Sequence, residues 1–249
     1  MRKILSVAAV ALSALCVAPA HAVLVTTWSY DVASEWVPWQ TVFGSGNATF
    51  VTNTTSEISW GANQPLALGN ARSGVVIDGS PASGNNLFTN LGPVLTQTVT
   101  HFNNSISNTY ATLVKTGLNT TLTLTPFIPA GPSLPSFELE FPVLFKETAN
   151  STPCPGPSAT VCDDIFVIQV ESLTSSFIYD GYKYTTEIRA GGGSLGPLSN
   201  AQCIAAGSPI GCLGFTTPEG AATSIPFGFQ ISAVPIQIPE PGTLALVGF

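Results

Sequence analysis

The sequence predicts an all-β protein: an antiparallel β-sandwich, jelly-roll-like in its connections, with long Pro/Gly loops and little helix. Three observations carry that expectation. Apolar residues recur at period two in several segments, the spacing of a half-buried strand. Turn-forming Gly, Pro and Asn clusters separate those segments at short intervals. No strand alternates with a long amphipathic helix, which argues against a parallel α/β sheet. Many short strands with regular turns fit a sandwich or jelly roll.

The elements follow in order. Leu24 to Val32 is a first apolar, aromatic-rich strand. Ala48 to Thr52 and Glu57 to Trp60 are short strands. Gly74 to Ile77 ends at Asp78-Gly79, a strong turn dipeptide. Val94 to Phe102 alternates Val, Thr and Leu, and Thr109 to Lys115 follows. In Thr120 to Phe127, Leu122 and Leu124 share one face while Thr121, Thr123 and Thr125 share the other. After the Pro-rich link 126–135, Phe137, Leu139 and Phe141 oppose Glu138 and Glu140. Asp164 to Glu171 is apolar on both faces and therefore reads as central. Ser176 to Asp180 and Tyr182 to Arg189 form a hairpin around Asp180-Gly181. Ser199 to Ala206 is the one expected helix, with Ser199 as N-cap and Gly207 as its C′ glycine. Thr223 to Val234 closes the domain with Ile225, Phe227, Phe229 and Ile231 at period two.

The first residues read as a secretory signal. Arg2 and Lys3 precede an apolar run, Ile4 to Val17, and Ala20-His21-Ala22 fits the small-x-small rule for cleavage before Val23. Residues 1–22 are thus a signal peptide, 23–234 a single β-domain, and 235–249 a linker and tail. Beyond the signal, five cations (Arg72, Lys115, Lys146, Lys183 and Arg189) face fourteen acids, a formal charge of −9. Such a surface repels phosphate backbones, so no nucleic-acid partner is expected. Low charge with abundant Thr, Ser, Asn and Gly gives a surface of hydroxyls and amides rather than the charge-rich signature of disorder.

Four cysteines remain after Cys16 leaves with the signal, in two close pairs: Cys154/Cys162 and Cys203/Cys212. Three connectivities exist. The local one is expected, because each pair brackets a Pro/Gly-rich loop. Disulfides suit an exported chain. No CxxC spacing occurs, and His101 is the only histidine beyond the signal, so no zinc site is expected. Asp163-Asp164 could hold Ca²⁺ with loop carbonyls, but no EF-hand or RTX spacing accompanies them. No metal and no cofactor is therefore expected.

Catalytic constellations are weak. There is no GxSxG and no HExxH. Any histidine chemistry would have to use His101, in Thr100-His101-Phe102-Asn103, where the ring more simply ties down an Asn-rich turn by bonding backbone or Asn103. Glu138/Glu140 have the spacing of any strand pair, so a glycosidase role rests on little. Trp28, Trp36 and Trp39 crowd one segment and could stack on sugar rings if exposed, although core packing is the commoner fate of such residues. Sequons stand at Asn47, Asn53, Asn103, Asn119 and Asn150.

Two sets of residues resemble a known group. Pro239-Glu240-Pro241, followed by apolar residues to Phe249, resembles the start of a PEP-CTERM sorting signal. There a membrane helix and a basic tail follow the motif; here the apolar stretch is too short to span, so the chain is expected to be a truncated form of a longer protein. Thr100-His101-Phe102-Asn103 matches the motif of the THxN family of PEP-CTERM proteins, which is similar to the choice-of-anchor K domain. Ile58-Ser59-Trp60-Gly61, Leu91-Gly92, Phe177 to Tyr184 and Cys212 to Glu219 support the likeness. The resemblance implies an exported, non-enzymatic protein of a Gram-negative bacterium. It would be cut by signal peptidase and exosortase, held in the membrane only transiently, and joined to the cell surface or an exopolysaccharide matrix. The alternative is a carbohydrate-binding, lectin-like module; a glycoside hydrolase is the remote third.

Overall fold

The computed structural model describes residues 22–48, 51–169, 174–191 and 195–236. In chain order the elements are β1 (Thr27–Phe43), β2 (Thr52–Asn53), β3 (Glu57–Gly61), β4 (Arg72–Asp78), β5 (Ala82–Phe88), β6 (Val94–Asn103) and β7 (Leu113–Ile128). They continue with β8 (Phe137–Lys146), β9 (Asp164–Ile168), β10 (Thr174–Tyr179), β11 (Tyr182–Ala190), β12 (Gly196–Pro197), α1 (Asn200–Ala205), β13 (Leu213–Thr217) and β14 (Ala221–Pro235). The strands form two seven-stranded sheets. One runs β12-β13-β9-β8-β7-β1-β5 and the other β10-β11-β14-β6-β4-β3-β2. The sheets are antiparallel and curled against each other, so the fold is the all-β sandwich that the alternation predicts.

Four elements depart from expectation: β1, β7, β5 and β13. β1 runs on to Phe43 through Pro38, which cannot donate to a ladder. The ladder to β7 accordingly breaks register between Val37 and Val42, a bulge of the kind that accommodates proline in a strand. Of the expected segment Thr109 to Lys115, Tyr110 makes an isolated bridge to Asn47 and only Leu113 to Lys115 is strand; it joins Thr120 to Phe127 as β7. Gly117 lies between them opposite that bulge, where a Cβ would stand 3.1 Å from Val37 Cβ and 2.7 Å from Gln40 Oε1. The glycine therefore permits a close approach and does not break the strand. β5 and β13 are strands the alternation does not announce. β5 is a polar edge strand, Ala-Ser-Gly-Asn-Asn-Leu-Phe, that buries only Leu87.

The hairpin and the helix form as expected. Tyr179 pairs with Tyr182 across a two-residue turn whose Asp180 and Gly181 both have positive φ, 44° and 77°, the type I′ requirement. Ser199 caps α1 in a complete capping box with Gln202, and Gly207 follows at φ 77°. Gln202 Nε2 also donates to Pro157 O at 3.0 Å, tying the helix to the preceding loop. Both local disulfides form, Cys154–Cys162 and Cys203–Cys212. They fit an oxidising, extracellular environment.

The interior has two apolar clusters between the sheets. One gathers Trp36, Trp60, Phe145, Phe166 and Phe215; the other gathers Trp28, Tyr30, Leu124, Tyr184 and Phe229. β9 is buried on both faces because Ile165 and Val167 face Ala206, just past α1, while Phe166 and Ile168 face the other sheet. Among the described residues, no helix is long and apolar enough to cross a membrane.

Candidate functional site

The polar residues of interest collect at one end of the interior, beside the Trp60 cluster. β6 lies mid-sheet between β14 and β4, with His101 opposite Thr223 and Val75. Period two separates the motif residues onto two faces. Thr100 turns away from His101 and shares a hydroxyl contact of 2.9 Å with Ser224. His101 and Asn103 turn inward and are fully buried. The imidazole stacks on Trp60 (centroids 6.4 Å apart, planes 19° apart) and meets Phe145 edge-on at 4.9 Å.

The expected bond from His101 to backbone or to Asn103 does not form: neither ring nitrogen has a hydrogen-bond partner. The turn is tied down instead by Asn104. Its Nδ2 donates to Arg72 O at 2.7 Å and Ala67 O at 3.1 Å, and its Oδ1 accepts from Gly69 N. Asn103 Nδ2 donates to Thr217 O at 2.9 Å, which links β6 to β13 across the sandwich. Full burial also removes Asn103 as a glycosylation acceptor in the folded chain.

Carboxyl groups face His101 from the other sheet. Asp164 Oδ2 lies 4.0 Å from His101 Nε2, while Asp164 Oδ1 accepts from Thr148 N at 2.9 Å. Glu147 keeps part of its surface in solvent, yet its carboxyl is enclosed and accepts from Trp60 Nε1 at 3.1 Å. Glu219, on the turn from β13 to β14, completes the group. Burial holds the His101 pKa down at about 3. Burial lifts Asp164 to about 7, aided by the charge of Glu219. Glu147 is raised well above its ordinary value, by burial and then by the charge of Asp164.

The Cys154–Cys162 loop closes over this end. Thr148 Oγ1 donates to Cys162 O, and Glu219 N donates to Thr160 Oγ1 at 3.0 Å. Asp163 organises the loop rather than joining Asp164: its carboxylate accepts from Ala159 N, Thr160 N and Thr160 Oγ1 at 2.7–3.0 Å. Burial alone would raise the Asp163 pKa, but these amides and hydroxyls outweigh it and the net shift is downward. The adjacent acids therefore do not act as a pair.

The remaining candidates separate. Trp28 and Trp36 have no exposed surface, which corrects the sugar-platform expectation: they fill the two clusters. Trp28 Nε1 donates to Thr89 Oγ1, and its ring meets Phe177, Tyr179 and Tyr184 edge-on. Only Trp39 is open, at 80%. Glu138 and Glu140 are exposed on the outer face of β8, and Glu140 bonds Gln40 at 2.7 Å. Their cross-strand neighbours on β7 are Thr121 and Asn119, neither of them a carboxylate. Ala22 and Val23 are exposed, ahead of Leu24 and Val25, which pack in the Trp28 cluster. Ala20 and Pro239, Glu240 and Pro241 lie outside the described residues.

Sequence reasoning left out Glu147, Thr217 and Glu219. One signal marks them: the inward register continued past the last apolar residue. Val143 and Phe145 lead to Glu147, and Phe215 leads to Thr217 and then Glu219. No protein-family model matches this chain, and no curated protein matches it. The likeness to the THxN proteins therefore stands on its short motifs alone.

Proposed function

We propose that this is a non-enzymatic, exported protein of the cell surface or extracellular matrix, associated with exopolysaccharide and sorted by an exosortase. One observation carries the reading: the acid and base groups lie inside, behind a disulfide-pinned loop, while the sheets turn hydroxyls outward. Neighbouring segments are bridged by hydroxyl pairs, Thr123–Ser136 and Ser176–Thr185, on exposed surface. Such a surface exchanges hydrogen bonds with a hydrated polysaccharide. Leu24 packs against the Trp28 cluster and the Val25 N–H donates to Tyr184 Oη at 2.8 Å, so cleavage before Val23 leaves both contacts in place.

The test is fractionation of an exosortase-bearing host expressing the protein with a complete sorting tail. The reading expects the mature protein in the surface or matrix fraction, with its tail trimmed. Replacement Glu240→Ala should block trimming, because it removes the carboxylate of the Pro-Glu-Pro motif that the sorting protease is expected to read. An unprocessed protein retained in the cytoplasm would refute it.

A second reading, carbohydrate recognition, has its own support. A groove of about 290 Å³ lies along β1, β5 and β7, lined by Asp31, Ala33, Pro81, Ser83, Thr121 and Thr123. Acidic and hydroxyl groups beside apolar ones suit a sugar edge. A glycan array with and without Ca²⁺ decides it. Saturable binding weakened by Asp31→Ala supports the groove, and binding unaffected by it points elsewhere.

A further inference from the structure

The ladder between β8 and β9 brings two acids face to face. Its last pairs are Phe145–Phe166 and Lys146–Ile165. One step further, the same register sets Glu147 opposite Asp164. These residues are the two feet of the connection that carries the Cys154–Cys162 disulfide and closes over the Trp60 end. Like charges directly opposite on an antiparallel pair repel, yet the two carboxyls hydrogen-bond each other. Ionised carboxylates only accept, so this bond exists only while one acid keeps its proton. Glu147 is the donor, because the bond raises its pKa and lowers that of Asp164. Its Oε2 accepts from Trp60 Nε1 at 3.1 Å, which leaves Oε1 to carry the proton.

The surroundings favour keeping that proton. Burial raises both acids, Asp164 to about 7 and Glu147 well above its ordinary value. Glu219, facing the pair from the turn between β13 and β14, raises both further by its charge. His101 faces Asp164 from β6 at 4.0 Å, but burial keeps the ring neutral. Lys146 is exposed on the opposite face of β8. Arg72 is engaged with Ser59, Thr52 and Glu57, and Asp163 is bound within its own loop. Among the described residues, no lysine or arginine forms an ion pair with Glu147, Asp164 or Glu219.

We propose that Glu147 and Asp164 share one proton, and that this proton latches the Cys154–Cys162 loop as a lid: its presence zips the neck of the loop, and its loss to water in alkali lets the lid swing off the Trp60 end. Thr148, next to Glu147, ties the lid to the pair. Its N–H donates to Asp164 Oδ1 at 2.9 Å and its hydroxyl donates to Cys162 O. The far side of the lid is fastened by Glu219 N–H, which donates to Thr160 Oγ1 at 3.0 Å. Once the proton leaves, two charges stand directly opposite with Glu219 beside them. Glu147 and Glu219 each keep part of their surface in solvent, so they relieve the repulsion by moving outward and strain the ties at Thr148 and Thr160. The interior of the lid stays ordered, because the disulfide and the bonds from Ala159 and Thr160 to Asp163 lie wholly within it. It therefore moves as one piece and uncovers His101 and Trp60. The proposal does not depend on where the protein is delivered.

The experiment is amide hydrogen exchange of the whole purified chain, read residue by residue and corrected for the intrinsic rate at each pH. Protection of the Thr148 and Glu219 amides should fall at least about tenfold between about pH 6 and about pH 10, while Phe166 and Val167 inside β9 keep theirs. Glu147→Gln puts a neutral N–H donor in place of the acid and should abolish that pH dependence. The infrared band of a protonated carboxyl, expected in the wild type at neutral pH, should weaken in the same variant. If Glu147→Gln does not fold, Asp164→Asn is the second variant; it cannot carry the opposing charge and should also keep the lid shut in alkali. The wild-type exchange and infrared band decide by themselves if neither folds. Unchanged protection of Thr148 and Glu219 across the range overturns the proposal. So does a lid that still opens in a folded variant, or a wild type with no protonated carboxyl at neutral pH.

Discussion

At the scale of single residues, burial has opposite consequences for the acid and the base at the end of the core. Burial holds the His101 pKa down at about 3 against an ordinary 6.5 and lifts that of Asp164 to about 7 against 3.8, because it disfavours the charged form of each. A histidine whose pKa falls on folding loses stability as the pH drops from 6.5, because the unfolded state binds the proton more readily. A carboxyl whose pKa rises loses stability as the pH climbs from 3.8 through about 7. The two slopes oppose each other across their overlap and nearly cancel. Glu147, raised from 4.5, loses stability through the same range with no base to offset it, and above 6.5 both carboxyl effects remain. Urea midpoints should therefore fall as pH rises from about 4.5 through about 7. Asp164→Asn should soften that fall; a wild-type midpoint that climbs above pH 7 would contradict the assignment. Tryptophans give a second contrast. Trp28→Ala removes a fully buried ring and should cost about 3–5 kcal/mol. Trp39→Ala, at 80% exposure, should stay within about 0.5 kcal/mol. Urea unfolding of both variants checks the pair. Period two already separates the three: Trp28 and Trp36, an even number of residues apart, share the inward face, while Trp39, three residues past Trp36, turns out; the sequence does not show which face is inward.

At the scale of elements, what was legible in the sequence is what short-range physics decides. The Asp180-Gly181 hairpin, the capped helix, the closing strand and the local disulfides follow from turn chemistry, capping and loop length. β5 was not legible, because an edge strand buries one residue and has no alternation to show. The join within β7 was hidden because Gly117 owes its place to Val37 and Gln40, far away in sequence. The site was half legible: His101 and Asn103 stood out by type, while Glu147, Thr217 and Glu219 depend on which residues the other sheet brings opposite them. The disulfides act on short loops, with sequence separations of 8 and 9. Chain entropy then gives each about 2–3 kcal/mol. The two should differ in reach. Replacing Cys203 and Cys212 by Ser should lower stability by that amount and leave the buried carboxyls enclosed. Replacing Cys154 and Cys162 should also loosen the loop that bonds Glu219 N and holds Thr148. Hydrogen exchange at Thr148 and Glu219 should then quicken in the second variant and not in the first. Equal protection in both would mean that the loop is held without its disulfide.

At the scale of the whole molecule, the two apolar clusters share their strands. β1 gives Trp28, Tyr30 and Val32 to one cluster and Trp36 to the other; β7 divides Leu122 and Leu124 from Leu113 and Leu118; β14 divides Phe229 and Ile231 from Ile225. A cavity of about 60 Å³, lined by residues of both clusters such as Val32, Val99, Phe141 and Phe229, marks where they meet. Each of these strands runs through both clusters, so losing the packing at one end loosens the same strands at the other, and the clusters should not unfold separately. A domain of this length often shows intermediates, but the shared strands argue for one transition. Urea unfolding followed by tryptophan fluorescence and by far-ultraviolet circular dichroism should give coincident curves, and Trp28→Phe and Trp36→Phe should report the same midpoint shape from opposite ends. If the ends melt apart, the Trp36 end should be the more resistant one, because the Cys154–Cys162 loop and the links from His101 and Asn103 to the facing sheet are all at that end. Separated transitions with the Trp28 end outlasting it would show that the cross-sheet polar cluster contributes nothing to cohesion.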